Sequence, residues 1–509
     1  MSAPGTNVGG GGWWVAGFGG GRLIRRAKAA AVARMAAEFS QFAVGIMLAW
    51  SLSREINGFF QKGYLVARIV VPVVAFGLPT ALYYFLPRLT GTARRAMVMR
   101  SLAVLAALGV VAAGVVFWAA PWLAREMDNG ALVPLIRSAC AVIIVSLPAL
   151  AAEPLLLVAE RARVWAVASL VAALVQVGGV GMLLAGGAGL GWLFAAIVAA
   201  AAVRLVPALM LAGRLYPSDS AAEEQGVSRS AMVGFGRHAM YVLPIGLAGM
   251  LDAGSLWLDR ALVALRFGDA DLALYSYGAT EVPFIAILTG SLLPVLLPEI
   301  SARLARNDRE GALALWHRAA LVTAPVLFGL WFALLWIAPD FLATIYSERY
   351  RGSAVFFRIY LCMLPLRVVS YIPTLNAMNR NGPVLVGAAG ELILNVALAL
   401  WLMAPERLGM AGAAWAMVIA TAVQVAWYLV CIRRGFSVSW RHLLPWGRLG
   451  ADALVAAVWF LPLGAALMWV QSNAGTDPEL ATRKVVMLAA AGVLYLAYAA
   501  VRVLPRLRR

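Results

Sequence analysis

Apolar stretches of about twenty residues recur along the chain, separated by short connections that carry most of its charge. At about 1.5 Å of rise per residue, one such stretch crosses a hydrocarbon core of roughly 30 Å as a helix. The pattern predicts about fourteen membrane helices, near 33–53, 64–86, 98–119, 131–152, 164–185, 191–212, 237–258, 272–296, 317–338, 354–375, 384–403, 410–431, 449–470 and 485–505.

The pattern also repeats. The hairpin SREINGFFQKGYLVARIVVPVVAFGLPTALYYFLPRL ends at Pro87 much as LALYSYGATEVPFIAILTGSLLPVLLPEI ends at Pro298. The segment from Ala159 can be laid on the segment from Met378, so that Arg161 meets Arg380 and, after one gap, Gly189 meets Gly409. Helices 1–6 and 7–12 are then two copies of one unit, in the same orientation because six is even. The expected fold is all-α: a polytopic membrane protein of about 14 transmembrane helices, with two pseudo-symmetric six-helix lobes around a central cavity and two extra C-terminal helices. Its expected parts are a Gly-rich basic cytoplasmic tail (1–32), an N-lobe (33–213), a cytoplasmic linker (214–236), a C-lobe (237–432), and helices 13–14 with a basic cytoplasmic tail (433–509).

Composition narrows the class. Of 509 residues, 63% are hydrophobic and 13% charged, about half the charged share of an ordinary soluble domain, which excludes folding in water. A net charge of +18 suggests nucleic acid in a soluble protein. Here the arginines gather in short loops on one side of the predicted spans, which sets membrane orientation, puts both termini in the cytoplasm and leaves no nucleic-acid partner. Cys140, Cys362 and Cys431 all fall in apolar spans and read as buried small hydrophobes. His238, His317 and His442 are scattered without ligand spacing, so no metal site is expected.

At NGPVLVGAAGELILNVALALWLMAPERLGMAGAAWAMVIAT the chain resembles the Wzx-type polysaccharide flippases, the polysaccharide transporter branch of the multidrug/oligosaccharidyl-lipid/polysaccharide exporter superfamily. The likeness lies in Asn395 and in Gly409 to Ala414. SREINGFFQKGY, with Arg54, Gly63 and Tyr64, resembles the family's first connection, and LDRALVALRFGDADLALYSYGA, with Asp259, Arg260 and Tyr275, its seventh-to-eighth. The resemblance implies a bacterial inner-membrane protein that moves an undecaprenyl-diphosphate-linked oligosaccharide repeat unit from the inner to the outer leaflet by alternating access, for surface polysaccharides such as O-antigen or exopolysaccharide. The implied partners are the lipid-linked glycan, membrane lipids, and polysaccharide polymerase and chain-length or export proteins. Related lipid II flippases carry arginines in the first helix and near the start of the eighth. Here the first span offers Glu38, and the stretch leading to Glu281 holds no Arg, which argues against a peptidoglycan-precursor role.

A lipid diphosphate needs a wet or cationic route, and arginine suits it because its fork matches phosphate oxygens. Arg68 and Arg367 are the leading candidates, with Arg54 and Asn395 as further substrate contacts. Snorkelling is the plain alternative for Arg68, and an internal ion pair for Arg367. Asp252, Ser255 and Asp259 share one helical face, and Glu391 lies one turn before Asn395. Asp252, Asp259, Glu281 and Glu391 are candidates for coupling to H+ or Na+, with structural pairing to Arg68 or Arg367 as the alternative. No other cofactor is expected. Trp165, Trp192 and Trp415 are candidate sugar platforms, against the commoner role of interfacial aromatics. A multidrug or cation antiporter of the same superfamily is the rival function, and a membrane glycan polymerase, ligase or acyltransferase a remote one. The short loops carry no catalytic constellation, so an enzyme is not expected.

Overall fold

The computed structural model describes residues 21–215, 247–280 and 299–474, apart from 90, 252 and 253, together with 486–487, 490–495 and 497–498. Every regular element among them is helical. The first half runs through α1 (Gly21–Ser51), α2 (Arg54–Ala75), α3 (Leu78–Phe85), α4 (Gly91–Glu126), α5 (Leu132–Ala149), α6 (Ala152–Val158), α7 (Ala162–Ala185) and α8 (Leu193–Leu215). The second half contains α9 (254–266), α10 (Asp269–Gly278), α11 (299–305), α12 (Arg309–Tyr346), α13 (Ala354–Leu361), α14 (Tyr371–Ala377), α15 (Asn381–Leu402) and α16 (Met410–Phe436). The short α17 (Trp440–Leu443) and α18 (Trp446–Ala474) follow.

Ten helices among the described residues are long and apolar enough to cross a membrane, or eleven when 348–361 and 365–377, bent by 42°, count as one. The chain is a multi-pass membrane protein. These helices answer to eleven of the expected spans. The other three, at 237–258, 272–296 and 485–505, include residues outside the described set, as do Pro244, Pro283, Pro294 and most of the 214–236 linker.

Two expected spans take a different form. The stretch 54–63, expected as a connection, is the first half of α2, because Ser53 caps the helix by accepting from the Ile56 N–H at 3.3 Å. Its far end comes early: Phe76 and Gly77 adopt φ of 44° and 68°, with Pro72 before the break and Pro79 in the first turn beyond it. Proline removes a ladder donor inside a helix and is tolerated in a first turn, which explains both the stop and the restart. Arg68 is therefore well inside a helix and not near its start. The tenth span is likewise broken: Arg367 sits in a 3₁₀ turn, Pro365–Arg367, between α13 and α14.

The turn before Arg161 recurs before Arg380. Glu160 and Asn379 both take a left-handed backbone, φ 61° and 58°, and the next N–H reaches back five residues, Arg161 to Leu156 at 2.8 Å and Arg380 to Leu375 at 2.9 Å. α7 then packs on α8 as α15 packs on α16. One apolar core is drawn wholly from residues 33–212. Of the buried members of the other two, only Ala49 and Leu65 come from the first half. Hydrophobic burial thus holds each half together, and the surface between halves combines a few apolar contacts, such as Phe42 on Tyr346, with polar groups.

Candidate functional site

Between the halves lies a cavity of about 510 Å³. Its walls include Gln41 of α1, Tyr64 and Arg68 of α2, and Trp257 and Arg260 of α9. Because α2 begins at Arg54, Tyr64 and Arg68 fall one turn apart on its cavity face. The Arg68 Cζ is 4.4 Å from the Tyr64 ring centroid and 4.5 Å from that of Trp257. Arg260 approaches the same indole, with Cζ 5.0 Å from the centroid. Two guanidinium groups therefore share one aromatic ring, whose negative face attracts both while they repel each other.

Their supports differ. Arg68 donates to Gln41 Oε1 at 3.2 Å, a neutral partner, and makes no ion pair among the described residues. Arg260 donates to Leu256 O at 2.9 Å, to Ala279 O, and to Asp259 Oδ1 at 3.3 Å. Asp259 is fully buried. It also accepts from the Tyr275 hydroxyl at 2.8 Å, the Tyr360 hydroxyl and the Arg260 N–H at 2.7 Å. With its acceptor positions taken, Asp259 positions Arg260 and is not an open cation ligand.

One end of the cavity is closed by contacts between the halves. Asn57 Nδ2 donates to the hydroxyls of Tyr277 and Tyr350, each at 2.9 Å, and the Tyr277 hydroxyl donates to Gly45 O at 2.9 Å. Beside them Lys62, expected in a loop, is 3% exposed. Its ammonium meets Asp269 Oδ1 at 2.8 Å, Phe267 O at 3.3 Å and Met127 O at 3.4 Å. Asn129 Nδ2 donates to the other Asp269 oxygen at 3.1 Å. Gly58 lets α2 approach closely, since a Cβ there would lie 1.7 Å from Asp269 O.

A second polar group is buried within the second half. Ser255 Oγ donates to Glu391 Oε1 at 2.9 Å, and Asn395 Nδ2 donates to Ser255 Oγ at 3.3 Å. Asn395 is fully buried and its Oδ1 has no hydrogen-bond partner.

The sequence candidates thus separate. Arg68 lines the cavity, as does Glu38, while Arg54, Arg367, Asn395 and Glu391 lie outside its walls. Asp252 and Glu281 lie outside the described residues. Trp165 is buried in the core of the first half, and Trp192 and Trp415 are exposed away from the cavity. The aromatic at the site is Trp257, and with Arg260 it was hidden by being read as the end of a span and the start of a connection. The available signal was that the apolar pattern runs on past the Asp259-Arg260 pair through ALVAL, which continues the helix to 266 and places both charges inside it.

Residues 65–355 match the family model described as polysaccharide biosynthesis protein. The probable multidrug resistance protein NorM of Deinococcus radiodurans is 29% identical over 226 residues, 42% of this chain and 48% of NorM. The match thus spans about half the length of that relative. Among solved structures, the lipid II flippase MurJ in an inward closed conformation superposes with a TM-score of 0.67 at 10% identity, over 94% of this chain and 99% of MurJ. A MATE multidrug resistance transporter of the MOP superfamily, inward-facing, gives 0.61 at 14% identity over 80% and 99%. A MOP superfamily transporter from Pyrococcus furiosus, described as having a binding pocket of reversed polarity, gives 0.59 at 14% over 82% and 95%. At these identities the shared property is the fold.

Proposed function

The chain belongs to the polysaccharide biosynthesis protein family, and from that premise we propose that it is a flippase for a lipid-diphosphate-linked oligosaccharide. The observation that carries this reading is the pair Arg68 and Arg260, both against the Trp257 ring, inside a cavity between two halves. A diphosphate placed there would accept the forked donors of Arg68, while Arg260, held by Asp259, adds its positive field. The lipid tail stays in the bilayer, and the sugar crosses through the cavity. In this reading the protein is no enzyme. Residues 33–213 and 237–432 are two lobes that rock about the cavity, both termini are cytoplasmic, and the closed end with Lys62 and Asp269 faces outward, away from the leaflet where the substrate is made. Polymerase and chain-length or export proteins consume the product.

Energy enters, we propose, at Glu391. Its carboxylate, Ser255 Oγ and the unpartnered Asn395 Oδ1 form an oxygen-rich group of the kind that takes up H+ or Na+ away from the cavity.

Deletion of the gene tests the function. A lipid-linked oligosaccharide should accumulate on the cytoplasmic leaflet, and wild-type protein should clear it. The likeness to NorM and the presence of Glu38 in the cavity favour a cation antiporter as second reading. Loss of resistance to cationic drugs, with no stranded glycan lipid, would select that one instead.

A further inference from the structure

One polar group on the first-half wall of the cavity has no protein partner at one end. Gln176 of α7 lines the cavity and is 1% exposed. Ser40 Oγ, itself 2% exposed, meets its Oε1 at 3.3 Å, while its buried Nε2 has no acceptor. Whichever way the amide is turned, Ser40 meets one end and the other is left over. The other two cavity glutamines have partners: Gln41 accepts from Arg68 at 3.2 Å, and Gln61 donates to Asn57 Oδ1 at 3.0 Å.

Packing does not account for Gln176. On the same face of α7, the residues one turn either side, Ala172 and Val180, are apolar and 0% and 1% exposed, and the next polar residue on that face is Ser169, two turns away; a leucine would fill position 176 with no orphaned donor. A buried amide left half-satisfied beside an open volume is explained when a ligand completes it. The unpartnered Nε2 calls for an acceptor oxygen, and since Arg68 and Arg260 take the anionic part of the ligand, the acceptor left for Gln176 is a neutral one.

We propose that Gln176 is a specificity-determining contact, which hydrogen-bonds a neutral oxygen of the glycan, a hydroxyl or an acetamido carbonyl, while the two arginines hold the diphosphate. This rests on the flippase reading above. Substrate choice then has two separable parts: charge admits any lipid diphosphate, and the amide favours one that carries sugar. A site built to hydrogen-bond a polar group discriminates against the analogue that lacks it.

The test uses the full chain in lipid nanodiscs and two probes, bare undecaprenyl diphosphate and the glycan-bearing lipid extracted from the deletion strain. Wild-type protein should bind the glycan lipid more tightly. Gln176→Leu and Gln176→Met should each weaken that binding about tenfold, the scale of one lost hydrogen bond, and leave the bare diphosphate within about twofold. The bare probe doubles as the control for folding. Equal wild-type affinity for both probes, a loss shared by both, or no loss on either would overturn the role of Gln176. Failure of the wild-type protein to bind either probe would instead overturn the flippase reading.

Discussion

Lys62 Nζ lies 2.8 Å from Asp269 Oδ1 and joins the two halves of the chain at the closed end of the cavity. The lysine is almost wholly buried, and its remaining partners are the carbonyls of Met127 and Phe267. A buried pair of this kind contributes little net stability when intact, because desolvation offsets attraction, but removing one partner strands the other. Lys62→Met is therefore expected to destabilise the protein by about 3 kcal/mol. Lys62→Met combined with Asp269→Leu should recover most of that loss. Thermal unfolding of the purified protein in detergent checks both, and a double variant no better than the single one would argue against the pair.

Gly58 controls whether that end can close. A methyl group there would sit 1.7 Å from Asp269 O, well inside contact distance, and the obstacle is backbone. Gly58→Ala should hold α2 and α10 apart and expose Lys62 to water. Labelling with a membrane-impermeant amine reagent, followed by mass spectrometry, should find Lys62 modified in the variant and protected in the wild type.

Arg68 and Arg260 should be separable in their consequences. Arg68 is tied to the protein by one hydrogen bond to a neutral amide, whereas Arg260 is part of the buried group around Asp259. Arg68→Ala is expected to lower glycan-lipid transport at least tenfold, roughly the loss of one charge-assisted bond, at unchanged abundance. Arg68→Lys should restore only part of it, because an ammonium lacks the fork.

Asp259→Asn should act on abundance. The substitution removes the charge facing Arg260 and offers Tyr275 and Tyr360 a mismatched partner, a cost of about 3 kcal/mol for a buried charge left unpaired. Quantitative immunoblotting of membranes should show less protein. Normal abundance with a changed dependence of transport on H+ or Na+ would mean that Asp259 serves coupling after all.

Glu391→Gln should spare abundance, since the amide oxygen still accepts from Ser255, and should abolish the dependence of transport on the coupling ion. Transport assays in vesicles with imposed H+ or Na+ gradients read this directly. An unchanged ion dependence would exclude Glu391 from coupling.

Much of the architecture was legible without coordinates, because apolar length is a one-dimensional property that lipid enforces residue by residue. The spans and the repeat that pairs Arg161 with Arg380 came from this, and the matching left-handed turns at Glu160 and Asn379 give the repeat a backbone form. The site was less legible. Arg68 was identified as a charge too costly to be idle, while its neighbours Trp257 and Arg260 were not among the site candidates, Arg260 being noted only in a connection motif, since no spacing within one segment brings residue 68 to residue 257. Lys62 was misjudged for a related reason: a lysine beside an apolar span is ordinarily a flank, and only the Ser53 cap and the approach of α10 turn it inward.

The sequence by itself determined an all-helical membrane protein built twice over, since hydrocarbon requires continuous apolar helices and a repeat leaves its record in order and spacing. The tertiary structure decided which polar side chains face one another across the halves. It set two arginines on one indole, gave Asp259 to the tyrosines instead of to an open site, and left the Gln176 amide half satisfied. The first of these depends on how two separately packed bundles meet, where contacts join residues some two hundred positions apart; the other two depend on how helices distant in sequence pack within one half, which no local pattern records either.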